Sequence, residues 1–139
     1  MDGFRHVVPV EVRFRDLDAF NHVNNTVVLT YVETARLRYL IESGVRVPRA
    51  GWHDLAFILA HTTWDYRKPI LYGQDIEVGS RVAEINRSSL RMEHRIEADG
   101  ELVSEGYGIL VHYDYQTGQS MPISAEMRAK IEAFERDRS

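Results

Sequence analysis

Near the start of the chain, apolar and polar positions alternate with a period of two. Val8, Val10, Val12 and Phe14 are interleaved with polar residues or Pro9, which predicts a half-buried strand. A polar turn from Asp16 to Asn24 interrupts the alternation, and the period then changes. Val28, Tyr31, Val32, Ala35 and Tyr39 recur at spacings of three and four, with Arg36, Arg38 and Glu42 off that stripe. This is the pattern of an amphipathic helix. Asn24 or Asn25 can cap its start and Gly44 can end it, which gives about 18 residues and about 27 Å.

A loop carrying Pro48, Gly51 and Trp52 follows, and the chain then reads as strand four times, over 56–66, 74–85, 89–98 and 101–113. In the third of these, Leu90, Met92, His94 and Ile96 alternate with Arg91, Glu93, Arg95 and Glu97. Asp99-Gly100 between the third and fourth is a strong hairpin signal. After a turn through Thr117-Gly118, Ser124 can cap a short amphipathic helix holding Met127, Ile131 and Phe134. Strand, long helix, four strands and a small helix imply an α+β fold, an antiparallel sheet covering one helix. There is no internal repeat or linker tract, and 139 residues fit one domain over 1–139.

Composition narrows the chemistry. Without cysteine there are no disulfides, thiol nucleophiles or thiolate metal sites. No apolar run approaches the ~20 residues of a membrane span, and the N-terminus has no apolar leader segment, so a cytoplasmic protein with no membrane partner is expected. A net charge of −4 argues against a nucleic-acid partner while leaving room for a local basic patch.

The turn between the first strand and the long helix holds the densest chemistry. Between Arg15 and Asn25 lie Asp16, Asp18, His22, three asparagines and Phe20, and a helix N-terminus follows directly. Unpaired N–H groups at a helix start favour developing negative charge, such as a carbonyl oxygen becoming an oxyanion. A carboxylate just upstream can attack a carbonyl or activate water. Asp and Asn also populate turns and caps for backbone reasons alone, and on composition that structural role is the commoner case.

Asp16-Leu17-Asp18, then Val23-Asn24-Asn25, then Glu33-Thr34-Ala35-Arg36, resembles the signature of hotdog-fold thioesterases. The resemblance extends both to the 4-hydroxybenzoyl-CoA thioesterase-like acyl-CoA thioesterases and to the plant acyl-ACP thioesterases. The stretch from Tyr66 through Pro69 and Gly73 to Asp75 is similar to a second motif of that family. The likeness implies a hotdog fold, with the sheet wrapped around the long helix, and hydrolysis of an acyl or aroyl thioester to free acid and thiol. By that resemblance Asp18 is the nucleophile or general base, and the backbone N–H of Asn25 polarises the thioester carbonyl. His22 matches a histidine of the acyl-ACP branch site, and Asp16 is expected to order the turn. Glu33 is either a second acid near the site or a solvated charge pairing with a neighbouring arginine. Two positions depart from the family: Phe20 replaces an asparagine of the acyl-ACP branch, and Val28 stands where a tyrosine is frequent.

The substrate's phosphates call for basic groups. Arg87, in the Arg87-Ser88-Ser89 turn, is the first candidate, with Ser88 beside it and Arg91, Arg67 and Lys68 behind it. No cofactor is expected, because CoA is part of the substrate, whose carrier could be CoA or an acyl carrier protein. His53, His61, His94 and His112 lack metal-ligand spacing, and His94 reads as a packed, hydrogen-bonded side chain. Gly106 and Gly108 within a strand read as a bulge or a close backbone approach. The family pairs its sheets across subunits, which implies a homodimer or homotetramer. Two rival classes remain at this stage. One is a hotdog hydratase or dehydratase, whose acid and histidine have four residues between them where Asp18 and His22 have three. The other is a non-catalytic acyl-CoA-binding module.

Overall fold

The computed structural model describes residues 1–46 and 55–136. The loop expected around Pro48, Gly51 and Trp52, and His53 with it, lies outside the described residues. Strand β1 (His6–Val10) is followed by a single 3₁₀ turn (Phe14–Asp16) and helix α1 (Asn25–Glu42). Then come β2 (Leu55–Tyr66), β3 (Ile76–Ile85), β4 (Ser89–Ala98), β5 (Glu101–Asp114), the two-residue β6 (Gln119–Ser120) and helix α2 (Ala125–Arg136). The strands form one antiparallel sheet in the order β1-β3-β4-β5-β2, with β6 paired to the end of β5. Among the described strands, β1 and β2 are therefore the edges.

Helix α1 forms where the 3.6-residue stripe predicts it. Its buried residues are Val28, Tyr31, Val32, Ala35, Tyr39 and Leu40, and Asn24 caps it by accepting the Thr26 N–H at 2.9 Å. Gly44, at φ +84, gives the chain a left-handed exit that costs other residues more. The N-terminal half of α1 packs with Val8, Ile76, Val78, Ile96 and Val103 in one apolar cluster. Its C-terminal half packs with Leu90, Met92, Leu110, Ile123 and Ile131 in another, which α2 closes. Each such side chain fully withdrawn from water contributes about 1.5–3 kcal/mol, so the stripe fixes which way the helix faces. Tyr39 donates its hydroxyl to Glu135 and so ties α1 to α2.

Strand β4 shows the alternation most cleanly. Leu90, Met92, His94, Ile96 and Ala98 point under α1, while Arg91, Glu93, Arg95 and Glu97 stand on the other face. That outer face carries alternating charges, with Arg81 to Glu93 at 2.7 Å and Arg95 to Glu97 at 3.1 Å. Asp99 (φ 50) and Gly100 (φ +82) make the expected tight hairpin into β5. No described helix is long and apolar enough to cross a membrane.

Three local expectations need correction. The first strand ends at Val10 rather than running to Phe14, because Asp16 pulls the chain into the 3₁₀ turn by taking the Arg13 N–H at 2.9 Å. Phe14 is consequently 82% exposed, although Val12 is still buried. Strand β3 starts at Ile76, two residues later than expected, because Gln74 is held in a turn by Leu71. The turn through Thr117-Gly118 folds back into β6, a pairing too short to leave a periodic signal.

Candidate active site

The acidic turn is built on Asp16. Only 1% exposed, its carboxylate receives the Arg13 N–H at 2.9 Å, the Arg13 guanidinium at 2.9 Å and the Tyr31 hydroxyl at 2.6 Å. Burial alone would push this carboxyl upward. The hydrogen bonds from Tyr31 and Arg13, and the charge of Arg13, outweigh burial and hold it below the usual carboxylate range. Burial, and after it the same contact with Asp16, pushes the Tyr31 phenol well above its ordinary value. Asp16 also accepts the Asn24 N–H on its backbone oxygen at 2.9 Å, so it joins the two ends of the turn. A buried ionised group needs that many partners to be tolerated.

Asp18, two residues on, is placed differently. Its Oδ1 accepts the Phe20 N–H at 2.9 Å and the His22 N–H at 3.4 Å, while its backbone pairs with His22 and Asn21. Asn21 takes the left-handed φ of 63 that closes this turn, a conformation asparagine tolerates. A bridge between Leu17 and Val23 and a bond from Val23 N–H to the Ile70 carbonyl at 2.8 Å clamp the turn against the loop after β2. Oδ2 of Asp18 takes no hydrogen bond from the described residues, and the side chain lines a cavity of about 400 Å³.

The same cavity is lined by Phe20, His22, Asn25, Val28, Tyr66 and Ser104, among others. Asn24 satisfies most of the amides around the helix start: Thr26 N–H goes to its side chain, and Val27 and Val28 N–H go to its carbonyl. The Asn25 N–H has no acceptor among the described residues. Asp18, with one open carboxylate oxygen, and Asn25, with an unpaired helix-terminal amide, thus line one concavity. That is an arrangement able to bring a nucleophile or base and an electrophilic donor to one carbonyl group.

The remaining candidates divide. Lys68 lines the cavity, though its ammonium also reaches Glu101 at 3.3 Å. Arg67 lies away from it, paired to Glu105 at 2.8 Å and Asp65 at 3.6 Å. Glu33 is exposed on α1 and is not a lining residue. It offsets part of the effect of burial, which holds the Arg36 guanidinium below its ordinary value. Arg91 lies 3.7 Å over the Tyr107 ring on the outer face. Arg87 and Ser88 form the β3–β4 turn at the far end of the sheet. Ser104 at the cavity pairs with Ile96, whereas Ser89 pairs with Val111, seven residues and so about 23 Å along β5. A single protomer does not bring Arg87, Ser88 or Arg91 to Asp18.

His94 is 2% exposed and shares a 2.9 Å hydrogen bond with Ser80. Burial, then the charge of Arg36 and then His6, push it down to about 3, so it stays neutral beneath the helix. His112 bonds the Pro122 carbonyl from Nδ1 at 3.1 Å. Among the described residues, no group of three or more acids and histidines is placed to hold a metal ion. Tyr66 and Ser104 are lining residues that sequence reasoning did not assign. Tyr66 stood in the second motif, but nothing in a sequence shows that its ring reaches α1.

Residues 12–131 match the family model described as the thioesterase-like superfamily. The chain is 27% identical over 125 residues to the long-chain acyl-CoA thioesterase FadM of Escherichia coli (strain K12), covering 88% of this chain and 94% of that protein. It is 26% identical over 131 residues to the chloroplastic acyl-acyl carrier protein thioesterase ATL3 of Arabidopsis thaliana, covering 93% and 68% respectively. Among solved structures, a thioesterase from Thermus thermophilus, complexed with coenzyme A and Zn, superposes with a TM-score of 0.84. The identity is 42%, over 97% of each chain.

Proposed function

The chain belongs to the thioesterase-like superfamily, and we propose from that premise that it hydrolyses acyl-CoA thioesters with Asp18 as the reacting carboxylate. The observation that carries this reading is the shared cavity: Asp18, whose Oδ2 is open, and Asn25, whose N–H is unpaired among the described residues, line the same space. The thioester carbonyl oxygen points at the Asn25 amide, where the helix terminus stabilises the charge that develops in the transition state. Asp18 then follows one of two routes. In the first, its oxygen bonds to the carbonyl carbon, the C–S bond breaks, CoA leaves as thiolate and takes up a proton, and water cleaves the resulting mixed anhydride. In the second, Asp18 removes a proton from a water that attacks directly. Either route yields the free acid and CoA. The turn holds Asp18 in both, because Phe20 and His22 fix Oδ1 and leave Oδ2 to react.

The distant basic turn fits a site completed by a second copy. Strand β2 is a 12-residue edge, and such edges recruit another strand. If two β2 edges pair antiparallel about a two-fold axis, the Tyr66 end of one meets the Leu55 end of the other. The partner's β3–β4 turn then lies about three strand spacings, or about 14 Å, to the side. Arg87 and Ser88 of that turn would then serve the CoA phosphates of the neighbouring site. A homodimer or a homotetramer satisfies this geometry, and light scattering that finds a monomer contradicts it.

The experiment for the chemistry is thiol release from short, long and aromatic acyl-CoAs by wild-type protein and Asp18→Asn. The variant should lose about 10²–10⁴-fold in rate while its circular dichroism is unchanged; near-normal turnover sinks the assignment. Single turnover in heavy-oxygen water tests for the anhydride: label enters the Asp18 carboxylate only through that intermediate, when water attacks its Asp18 carbonyl, whereas label in the product acid alone is given by both routes.

A further inference from the structure

Arg36 of α1 is half-buried, and among the described residues it makes no hydrogen bond and no ion pair; its Nε is buried without an acceptor. One terminal nitrogen lies over Gly108, 3.8 Å from where a Cβ would stand, and the Leu59 side chain reaches the same spot from the edge strand β2. That spot is remote from the reacting centre. Gly108 is four residues along β5 from Ser104, about 13 Å, and Arg36 does not line the cavity of Asp18. A cation withdrawn from water without a counter-charge is costly. The charge of Glu33, three residues away on the same helix, offsets that cost only in part.

The adjoining surface is apolar and open. Leu29, Glu33 and Leu37 follow at intervals of four along α1, so they share one face. Both leucines are exposed, and so is Leu59 on the neighbouring edge. Contiguous exposed apolar surface of this kind marks a contact site. Of the carboxylates on α1 and β2, Glu42 pairs with His6 and Arg38, and Asp65 pairs with Arg67. Glu33 is exposed and makes no ion pair among the described residues.

The face complements itself about a two-fold axis. Gly108 pairs with Thr62, which stands within two residues, and so about 7 Å, of the middle of β2, where an axis relating two β2 edges passes. Helix α1 follows β5, since Val28 and Ser104 line one cavity and Leu40 and Leu110 share one cluster. The axis therefore reverses the helix along with the strands. Contacts across such an axis are reciprocal. Where the two helices face each other between positions 33 and 36, the acid of each lies opposite the base of the other. Two Arg36 groups brought towards the axis without those acids would repel.

We propose that the α1 face carrying Leu29, Glu33 and Leu37 seats against the same face of a second copy of this chain, with Arg36 of each copy taking Glu33 of the partner subunit as its counter-ion. This rests on the two-fold pairing of β2 given above, and it is independent of the chemistry assigned to Asp18.

The test is a pair of charge reversals in the full-length protein, Glu33→Lys and Arg36→Glu, each checked for native circular dichroism. Alone, each variant sets like charges against each other twice across the interface, so its dimer should weaken by about a hundredfold or more in sedimentation and light scattering. Mixed in equal amounts, the two regain one native and one reversed pair, and a heterodimer should form within about tenfold of wild-type affinity. If Arg36→Glu does not fold, Arg36→Gln takes its place, since the mixture with Glu33→Lys still regains one native pair. Homodimers of Glu33→Lys as tight as wild type overturn the proposal. So do variants that dissociate and fail to associate on mixing, because the two charges would then act only within one helix. If the wild type is a dimer and the mixture stays monomeric, this inference alone fails; if the wild type is a monomer, the pairing of β2 fails with it.

Discussion

Replacing Tyr31 with Phe removes one oxygen from the interior and leaves Asp16 with one donor fewer. In the wild type that hydroxyl lies 2.6 Å from a carboxylate that is 1% exposed. Hydrogen bonds to buried charged groups contribute about 1.5–3 kcal/mol. The bonds from Arg13 remain, so the variant should lose about 2 kcal/mol at pH 7. For a domain of this length that is a fall in Tm of about 6–8 °C. The pH dependence supplies a second, independent reading. Asp16 is held below its ordinary value in the folded protein, so its stabilisation is full above the unfolded carboxyl pKa and disappears as pH falls through the folded one. The variant depresses the carboxyl less. The gap between the two proteins should therefore be constant above about pH 5 and shrink below about pH 4. Urea titrations at fixed protein concentration, followed by fluorescence and circular dichroism between pH 3 and pH 8, measure both. A loss under about 0.5 kcal/mol at pH 7, or one of equal size at pH 3 and pH 7, would refute the account of Asp16 as an ionised buried hub.

Three further outcomes follow from other parts of the structure. Gly106→Ala should destabilise by about 3 kcal/mol or more, because a Cβ there would collide with the Thr63 carbonyl and the Trp64 ring across the β2–β5 pairing; a Tm within about 2 °C of wild type would show that the strands can separate at little cost. His94 is pushed down to about 3 in the folded state against an ordinary 6.5, so unfolding takes up a proton as pH falls through that interval. Stability should decline from about pH 6.5 towards pH 3, and His94→Gln should flatten this limb in urea titrations. Asn24→Ala removes the acceptor of the Thr26 amide and should cost about 1 kcal/mol together with a measurable fall in kcat, since the amide next to the lost cap is the one assigned to the carbonyl.

The elements with strong periodicity were legible from the sequence because burial itself is periodic. Helix α1, the alternation of β4 and the Asp99-Gly100 turn all follow from side chains that must face inward or from backbone conformations few residues tolerate. The limits of β1 were not legible. Val12 keeps its place in the alternation without being in a strand, since period-two burial needs only a core and not a pairing partner. The distinction between Asp16 and Asp18 was expected from the family resemblance, but its physical cause lies in Arg13 and Tyr31, which turn and helix geometry bring together from either side of the turn. Phosphate-binding candidates were the least legible. A sequence places Arg87 in a turn after β3 but does not say at which end of the sheet that turn will lie.

The placement of Asp18 on a turn whose anchorage belongs to its neighbour has a practical consequence. Among the described residues, the ties that shape the turn run through Asp16, Asn24 and Ile70, through the Leu17–Val23 bridge, and through the backbone and Oδ1 of Asp18, and none of them uses Oδ2. Asparagine at position 18 retains an oxygen for the Phe20 and His22 amides while forfeiting the reactive one. Such a variant would be a trap, a folded receptacle that admits its ester and cannot discharge it. Mass spectrometry of whatever remains bound after purification from cells would then let the protein name its own acyl group.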